Sequence, residues 1–184
     1  MLKYLVTGGS SGIGQALAWQ LAKRGYQVYI CGRRAALLEQ TKAEYPEQIH
    51  YVVGDLTDEV TIDRLAQALN GEKLAGLIQN AAVLPPLASI EAMKMDEYWS
   101  HQQINVGVPI RLFKQFRQQL SGGRVLHLSS FMAHHPAHSW GAYCISKASL
   151  YMLLQVLRQE CADIAFGSVM PGVTDTDMQS QISQ

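Results

Sequence analysis

The chain has 184 residues, 48% of them hydrophobic and 16% charged, which suits one globular unit with a buried core and excludes a disordered or low-complexity chain. Fifteen basic residues balance fifteen acidic ones, so no charge excess points to nucleic acid or to an anionic membrane surface. No apolar run reaches bilayer length, and the first strand starts so close to Met1 that no secretion signal is expected.

A short apolar run over 3–7 ends in Gly8-Gly9-Ser10-Ser11-Gly12-Ile13-Gly14 and passes into a helical pattern over 15–24. This order places free backbone N–H groups and the positive end of a helix dipole at the strand's carboxyl edge. An anion such as a pyrophosphate is favoured there. The spacing Gly8-x-x-x-Gly12-x-Gly14 differs from the common dinucleotide fingerprint. Nor does a Lys-Ser/Thr pair follow it, as a phosphate-loop ATPase would require.

Residues 27–31 form a second strand between Gly25 and Gly32, and a helix over 35–44 stops before Pro46. The third strand, 49–53, ends at Gly54-Asp55, and Thr57 is placed to cap a helix over 59–69. The fourth strand, 74–79, closes on Asn80-Ala81-Ala82. A loop carrying Pro85 and Pro86 leads to a long helical region, roughly 96–120, where Pro109 predicts a kink or local break. A fifth strand over 124–129, a helix over 143–161 and a sixth strand over 164–169 follow, the last ended by Pro171-Gly172.

Strands alternating with helices, and strands that are apolar almost throughout, predict an α/β fold. It is a doubly wound parallel sheet of Rossmann type, about six strands with helices on both faces. Ligands then bind at the carboxyl ends of the strands. The helix over 143–161 is apolar on more than one face, through Leu150, Tyr151, Leu153, Leu154 and Val156. A partner subunit is its expected cover, which makes a homo-oligomer (dimer or tetramer) the expectation.

Tyr143 and Lys147 are four apart on one helix and share a face. A Lys ammonium beside a phenol stabilises the phenolate and is expected to lower its pKa, making the Tyr a proton donor or acceptor near neutrality. Ser129 and Ser130 end the fifth strand on the same edge that carries the glycine turn.

With these residues the chain resembles the short-chain dehydrogenase/reductase family. Thr7-Gly8-x-x-x-Gly12-Ile13-Gly14 matches the family's cofactor turn, and Asn80-Ala81 matches its Asn-Ala-Gly with Ala82 in place of the Gly. Asn105 stands where the family keeps a helix Asn; Ser130, Tyr143 and Lys147 have its spacing; and Pro171-Gly172-x-x-x-Thr176 matches the segment after strand six. The likeness covers nearly the whole chain.

The resemblance implies an oxidoreductase moving hydride between a nicotinamide and a small or medium carbonyl or secondary alcohol. Tyr143 is the implied acid/base, and Ser130 holds the carbonyl oxygen, with Ser129 as the alternative. Lys147 grips the ribose hydroxyls, and Asn105 holds a relay water. Gly8, Ser10, Ser11, Gly12, Ile13 and Gly14 would cradle the pyrophosphate. Asp55 and Leu56 would meet the adenine, and Asn80 and Ala81 its ribose. Pro171, Gly172, Thr174 and Thr176 would hold the carboxamide end.

An NAD site needs a carboxylate after the second strand. Here Gly32-Arg33-Arg34 stands there, and guanidinium groups pair with a 2′-phosphate, so NADP(H) is favoured over NAD(H). The basic residue often found inside the family's NADP-type glycine loop is replaced by Ser11.

Cys31, Cys144 and Cys161 lack metal-ligand spacing and read as reduced thiols, so a cytoplasmic protein is expected. His134, His135 and His138 share a loop with no acidic or Cys ligand patterned around them. No metal is expected there, and the loop, with Trp140, is placed at the substrate entrance. The family usually continues into a lid and a seventh strand, whereas the polar tail over 179–184 supplies neither. The domain expectation is therefore a single unit over 1–184, with that last part short or absent. It leaves open a second reading, a nicotinamide-binding sensor with little turnover.

Overall fold

The computed structural model describes residues 1–172 and 174. Six strands lie side by side in one sheet: β1 (Lys3–Thr7), β2 (Gln27–Gly32), β3 (Ile49–Val53), β4 (Gly76–Gln79), β5 (Arg124–Leu128) and β6 (Ala165–Val169). Their order is β3-β2-β1-β4-β5-β6 and every neighbouring pair is parallel. The chain leaves β1 in one direction and, after β3, crosses back to its other side. Between β1 and β4 the connections therefore diverge and open a crevice at the carboxyl edge.

Side-chain alternation sends neighbouring strand residues to opposite faces, and each face has its own core. Val6, Ile30, Ile78 and Leu128 pack with Ala18, Ala22 and Leu38 of α1 (Gly12–Lys23) and α2 (Ala35–Ala43). Leu5, Leu77 and Val125 face the other way, toward Leu65, Leu112, Phe116 and Leu157. Those residues belong to α3 (Glu59–Leu69), α5 (Val108–Phe116) and α6 (Gly141–Glu160), except that α4 (Met95–Gln102) precedes α5 in the chain. Covered on both faces, the inner strands β1, β2 and β4 need no polar side, which is why they read as continuous apolar runs.

Two local expectations are corrected. Thr57 does not cap α3; Asp58 occupies the cap position without a side-chain bond. The Thr57 N–H and hydroxyl both donate to Asp55 Oδ1, at 2.8 Å each, because an Asp two residues upstream captures them in an Asx turn. The region over 96–120 is broken, but upstream of Pro109. After α4 a π-helical turn spans Gln103–Gly107, and α5 restarts with Pro109 in its first turn, where its missing N–H is tolerated. The Pro109 carbonyl accepts a bond from Gln79 Nε2 at 2.9 Å, tying the restart to β4.

Candidate active site

At the carboxyl edge lies a cleft of about 640 Å³ whose walls run from the glycine turn to the start of α6. Gly8, Ser10, Ser11, Gly12 and Ile13 form one end, and Arg33, Arg34, Asp55 and Leu56 extend it past β2 and β3. Asn80, Ala81, Tyr143, Lys147 and Pro171 line the rest. Gly14, Asn105, Ser130, Gly172 and Thr174 lie outside this lining, though the first three support it as described below. Thr174 Oγ1 donates to the Gly172 carbonyl at 2.9 Å, and Thr176 lies outside the described residues.

The glycine turn is held open from beneath. Gly8 has φ +66°, a left-handed conformation that side chains avoid. The Asn80 amide reaches across from the end of β4 and donates to the Thr7 and Gly8 carbonyls at 2.9 and 3.2 Å. Thr7 Oγ1 accepts from the Asn80 and Ala81 N–H groups at 3.0 Å each. A Cβ at Gly14 would overlap the Gly8 carbonyl oxygen and the Asn80 amide nitrogen, so α1 approaches the turn as closely as glycine allows.

Beside the turn, the Arg34 guanidinium donates to Ser11 Oγ at 2.7 Å, bringing a cation into the loop that the sequence left without one. Arg33 Nη1 stands 3.8 Å from Asp55 Oδ2, with both side chains substantially exposed. Burial works against the Asp55 carboxylate. The two Thr57 bonds, with Arg33 and Arg111 nearby, outweigh it and hold the group below its ordinary range.

On α6, Tyr143 and Lys147 are both buried, and the Lys147 ammonium lies 5.5 Å from the centroid of the phenol ring. Lys147 Nζ donates to the Leu128 carbonyl at 2.8 Å. Burial brings its pKa down to about 8. The phenol pKa is raised, not lowered as the spacing suggested: burial dominates, and a hydrogen bond with Ser130 opposes it only in part. The physical reason is that a buried phenolate loses its hydration, which costs more than the interaction with Ser130 returns. Ser130 Oγ also accepts from the Met132 N–H at 3.2 Å. Ser129 lines the cleft, and its buried hydroxyl has no hydrogen-bond partner among the described residues.

Asn105 sits in the π-helical turn, buried. Its Oδ1 accepts from the Val83 N–H and its Nδ2 donates to the Val83 carbonyl, both at 2.9 Å. Nδ2 also lies 2.9 Å from His101 Nε2 and 3.2 Å from Ser146 Oγ. The amide is thus fully engaged by protein at both ends. Sequence reasoning missed His101 and Ser146, both buried. The signal for His101 was there: it precedes Asn105 by four residues, one turn earlier on the same helical face.

A family model described as short chain dehydrogenase matches residues 3–184. The benzil reductase ((S)-benzoin forming) of Bacillus subtilis is 30% identical over 189 residues, which span 97% of this chain and 77% of that protein. The crystal structure of the KRED1-Pglu enzyme superposes with a TM-score of 0.95 at 30% identity, covering 99% of this chain and 78% of the other. A short chain dehydrogenase from Shigella flexneri, solved as a complex with NADP, gives 0.90 at 27% identity, with 98% and 80% covered.

Proposed function

Because the chain belongs to the short-chain dehydrogenase family, whose members are hydride-transfer oxidoreductases using NAD(P), we propose that it is an NADP-dependent reductase of a small or medium ketone or aldehyde, or the dehydrogenase of the matching secondary alcohol. The observation that carries this reading is Tyr143, buried with the Lys147 ammonium over its ring in a cleft that continues to the glycine turn. The turn fits a dinucleotide: Gly8 takes a left-handed φ, Gly14 lets α1 close onto the turn, and the N-terminus of α1 favours a pyrophosphate. Bound nicotinamide would supply or accept the hydride.

Within that frame Tyr143 gives a proton to the carbonyl oxygen as it becomes an alkoxide, and takes it back in the reverse direction. Ser130, held by the Met132 N–H, fixes that oxygen, and Lys147 binds the ribose hydroxyls. The relay role of Asn105 moves to its main chain. Residue 109 is Pro, so the Asn105 carbonyl lacks its ordinary helical donor four residues on and would be the group that holds the relay water. Residues 1–184 are read as a single unit carrying both cofactor and catalytic residues.

The NADP preference rests on Arg33 and Arg34, which flank the end of the cleft next to Ser11. Replacing both with Ala weakens NADPH binding about 10- to 100-fold and moves NADH by much less, as loss of charge-assisted bonds to a 2′-phosphate requires. Fluorescence titration with each nucleotide checks this; equal losses for both would remove the preference. For turnover, benzil and a panel of small ketones are the first substrates to try with NADPH, given the benzil reductase relative. Oxidation of NADPH by any of them supports the reading, and tight NADPH binding with none turned over favours a sensor.

On α6, Ile145, Met152 and Val156 are 40%, 59% and 42% exposed. That patch supports a homo-oligomer, dimer or tetramer, that covers it. Sedimentation velocity of the purified protein at micromolar concentration is expected to show no monomer, and a monomer alone would overturn it. Among the described residues no helix is long and apolar enough to cross a membrane. Three free thiols suit the reducing interior of a cell, so we read the protein as cytoplasmic.

A further inference from the structure

We infer that His101 is a positioning residue of this site, locking the Asn105 amide and the Val83–Pro85 backbone to the catalytic helix through a ring protonated on Nδ1 alone. The inference rests on the reductase reading for its consequence in catalysis, and on geometry alone for the state of the ring.

The protonation pattern follows from hydrogen-bond arithmetic. Asn105 cannot be turned end for end, because Val83 presents an N–H to one side of its amide and a carbonyl to the other, each at 2.9 Å. The atom facing His101 is therefore Nδ2, which can only donate. His101 Nε2 accepts from it at 2.9 Å and carries no proton. The Ser146 hydroxyl, 3.3 Å from Nε2, spends its own proton on the Tyr143 carbonyl at 2.8 Å and so makes no competing donation. The ring's one proton is left on Nδ1, which donates to the Pro85 carbonyl at 2.7 Å.

Three elements meet at this ring. Pro85 belongs to the segment after β4 that lines the cleft, Asn105 to the π-helical turn, and Ser146 to α6 one turn from Tyr143. The ring also stands edge-on to the Tyr143 phenol, with centroids 6.3 Å apart and an interplanar angle of 71°. His101 is 2% exposed, so no water replaces a lost partner without opening the site. A second proton would set an N–H against the Asn105 amide hydrogens. Burial resists it, and so does the Lys147 charge from α6, against the opposing pull of the Pro85 carbonyl; the ring's pKa is accordingly lowered from 6.5.

The two ring nitrogens do separable work, and three variants separate them. His101→Phe keeps the volume and removes both bonds; His101→Gln keeps an acceptor near the Nε2 position; His101→Asn keeps a donor near the Nδ1 position. With NADPH and whichever carbonyl the wild type turns over, kcat falls about tenfold in the Phe variant, as expected for a slightly misplaced acid and relay. The Gln variant recovers most of kcat, and the Asn variant does not, while all three keep the wild-type Kd for NADPH. Nitrogen-15 spectra of the wild-type imidazole are expected to show the Nδ1–H form at neutral pH and as the pH falls to 6.5. Equal kcat losses in all three variants, or losses that merely follow their melting temperatures, would overturn the positioning role. A ring protonated on Nε2 would overturn the inference even if no carbonyl were turned over, whereas absent turnover with an Nδ1–H ring counts against the reductase reading alone.

Discussion

Tyr143→Phe is expected to lose between about 10²- and 10⁴-fold in kcat while binding NADPH within roughly twofold of the wild type. One oxygen is removed, and the ring that carried it is held by neighbours that do not depend on it. Trp140 and His101 meet it edge-on at 5.9 and 6.3 Å between centroids, and Lys147 lies over its face. The fold should therefore survive, and the loss should fall on the proton. Burial raises the phenol's pKa above its ordinary 10.0, so the hydroxyl keeps its proton throughout the neutral range. A general acid of that kind makes carbonyl reduction insensitive to pH until the alkaline side, where the phenol ionises and the rate declines. In the oxidation direction the same group must first lose its proton, so the rate climbs with pH. Steady-state kinetics in both directions from pH 6 to 10 would show a nearly flat reduction rate and a rising oxidation rate in the wild type, and no such rise in the variant. A Phe variant within a few-fold of wild-type kcat would show that some other group supplies the proton.

What the sequence made legible here was periodicity and order. Six apolar runs, the first five each followed by a helical pattern and a break, dictate a parallel sheet because nothing else covers both faces of such strands. The parallel pairing and the core on each face agree with that reading, while the strand order comes from the structure. Likewise the ends of the strands marked the residues of the cleft, since a ligand has only one edge of a doubly wound sheet to use. What remained hidden depends on through-space partners. Thr57 was a good cap by type, but an Asp two residues away was a better partner for both its donors. The break near Pro109 was foreseen, yet its form was not. A π-helical turn is a change in hydrogen-bond register, and its only local trace was the proline that cannot donate to residue 105. The pairing of Tyr143 with Lys147 was visible as spacing, whereas the balance of burial against charge on the phenol required knowing how little water reaches it. His101 was passed over because a lone buried histidine is ambiguous until its partners are known.

Gly14→Ala is expected to damage both the fold and nucleotide binding, and the sign of that effect is not obvious from the helix alone. Gly14 is the third residue of α1, and in an isolated helix Ala would be favoured over Gly by about 1 kcal/mol. Here the new methyl would overlap the Gly8 carbonyl oxygen and the Asn80 amide nitrogen, the same two groups that bond each other at 3.2 Å to brace the turn. Neither is the tip of a flexible chain. Accommodating the methyl requires α1 to move off β1 or Asn80 to leave the turn, an overpacking cost of about 1–3 kcal/mol or more. The cost exceeds the propensity gain, so the melting temperature falls. Because the backbone that would receive a pyrophosphate is the part displaced, the NADPH Kd rises about a hundredfold as well. Gly25→Ala separates strain from crowding. Its φ of +82° makes Ala unfavourable, but a Cβ there meets nothing within 4 Å, and Gly25 does not line the cleft. That variant should lose about 1–2 kcal/mol of stability and keep the wild-type Kd. If both variants lost stability alike and both still bound NADPH, the close approach of α1 to the turn would be a packing accident. A binding loss confined to Gly14→Ala would tie the glycine to the ligand.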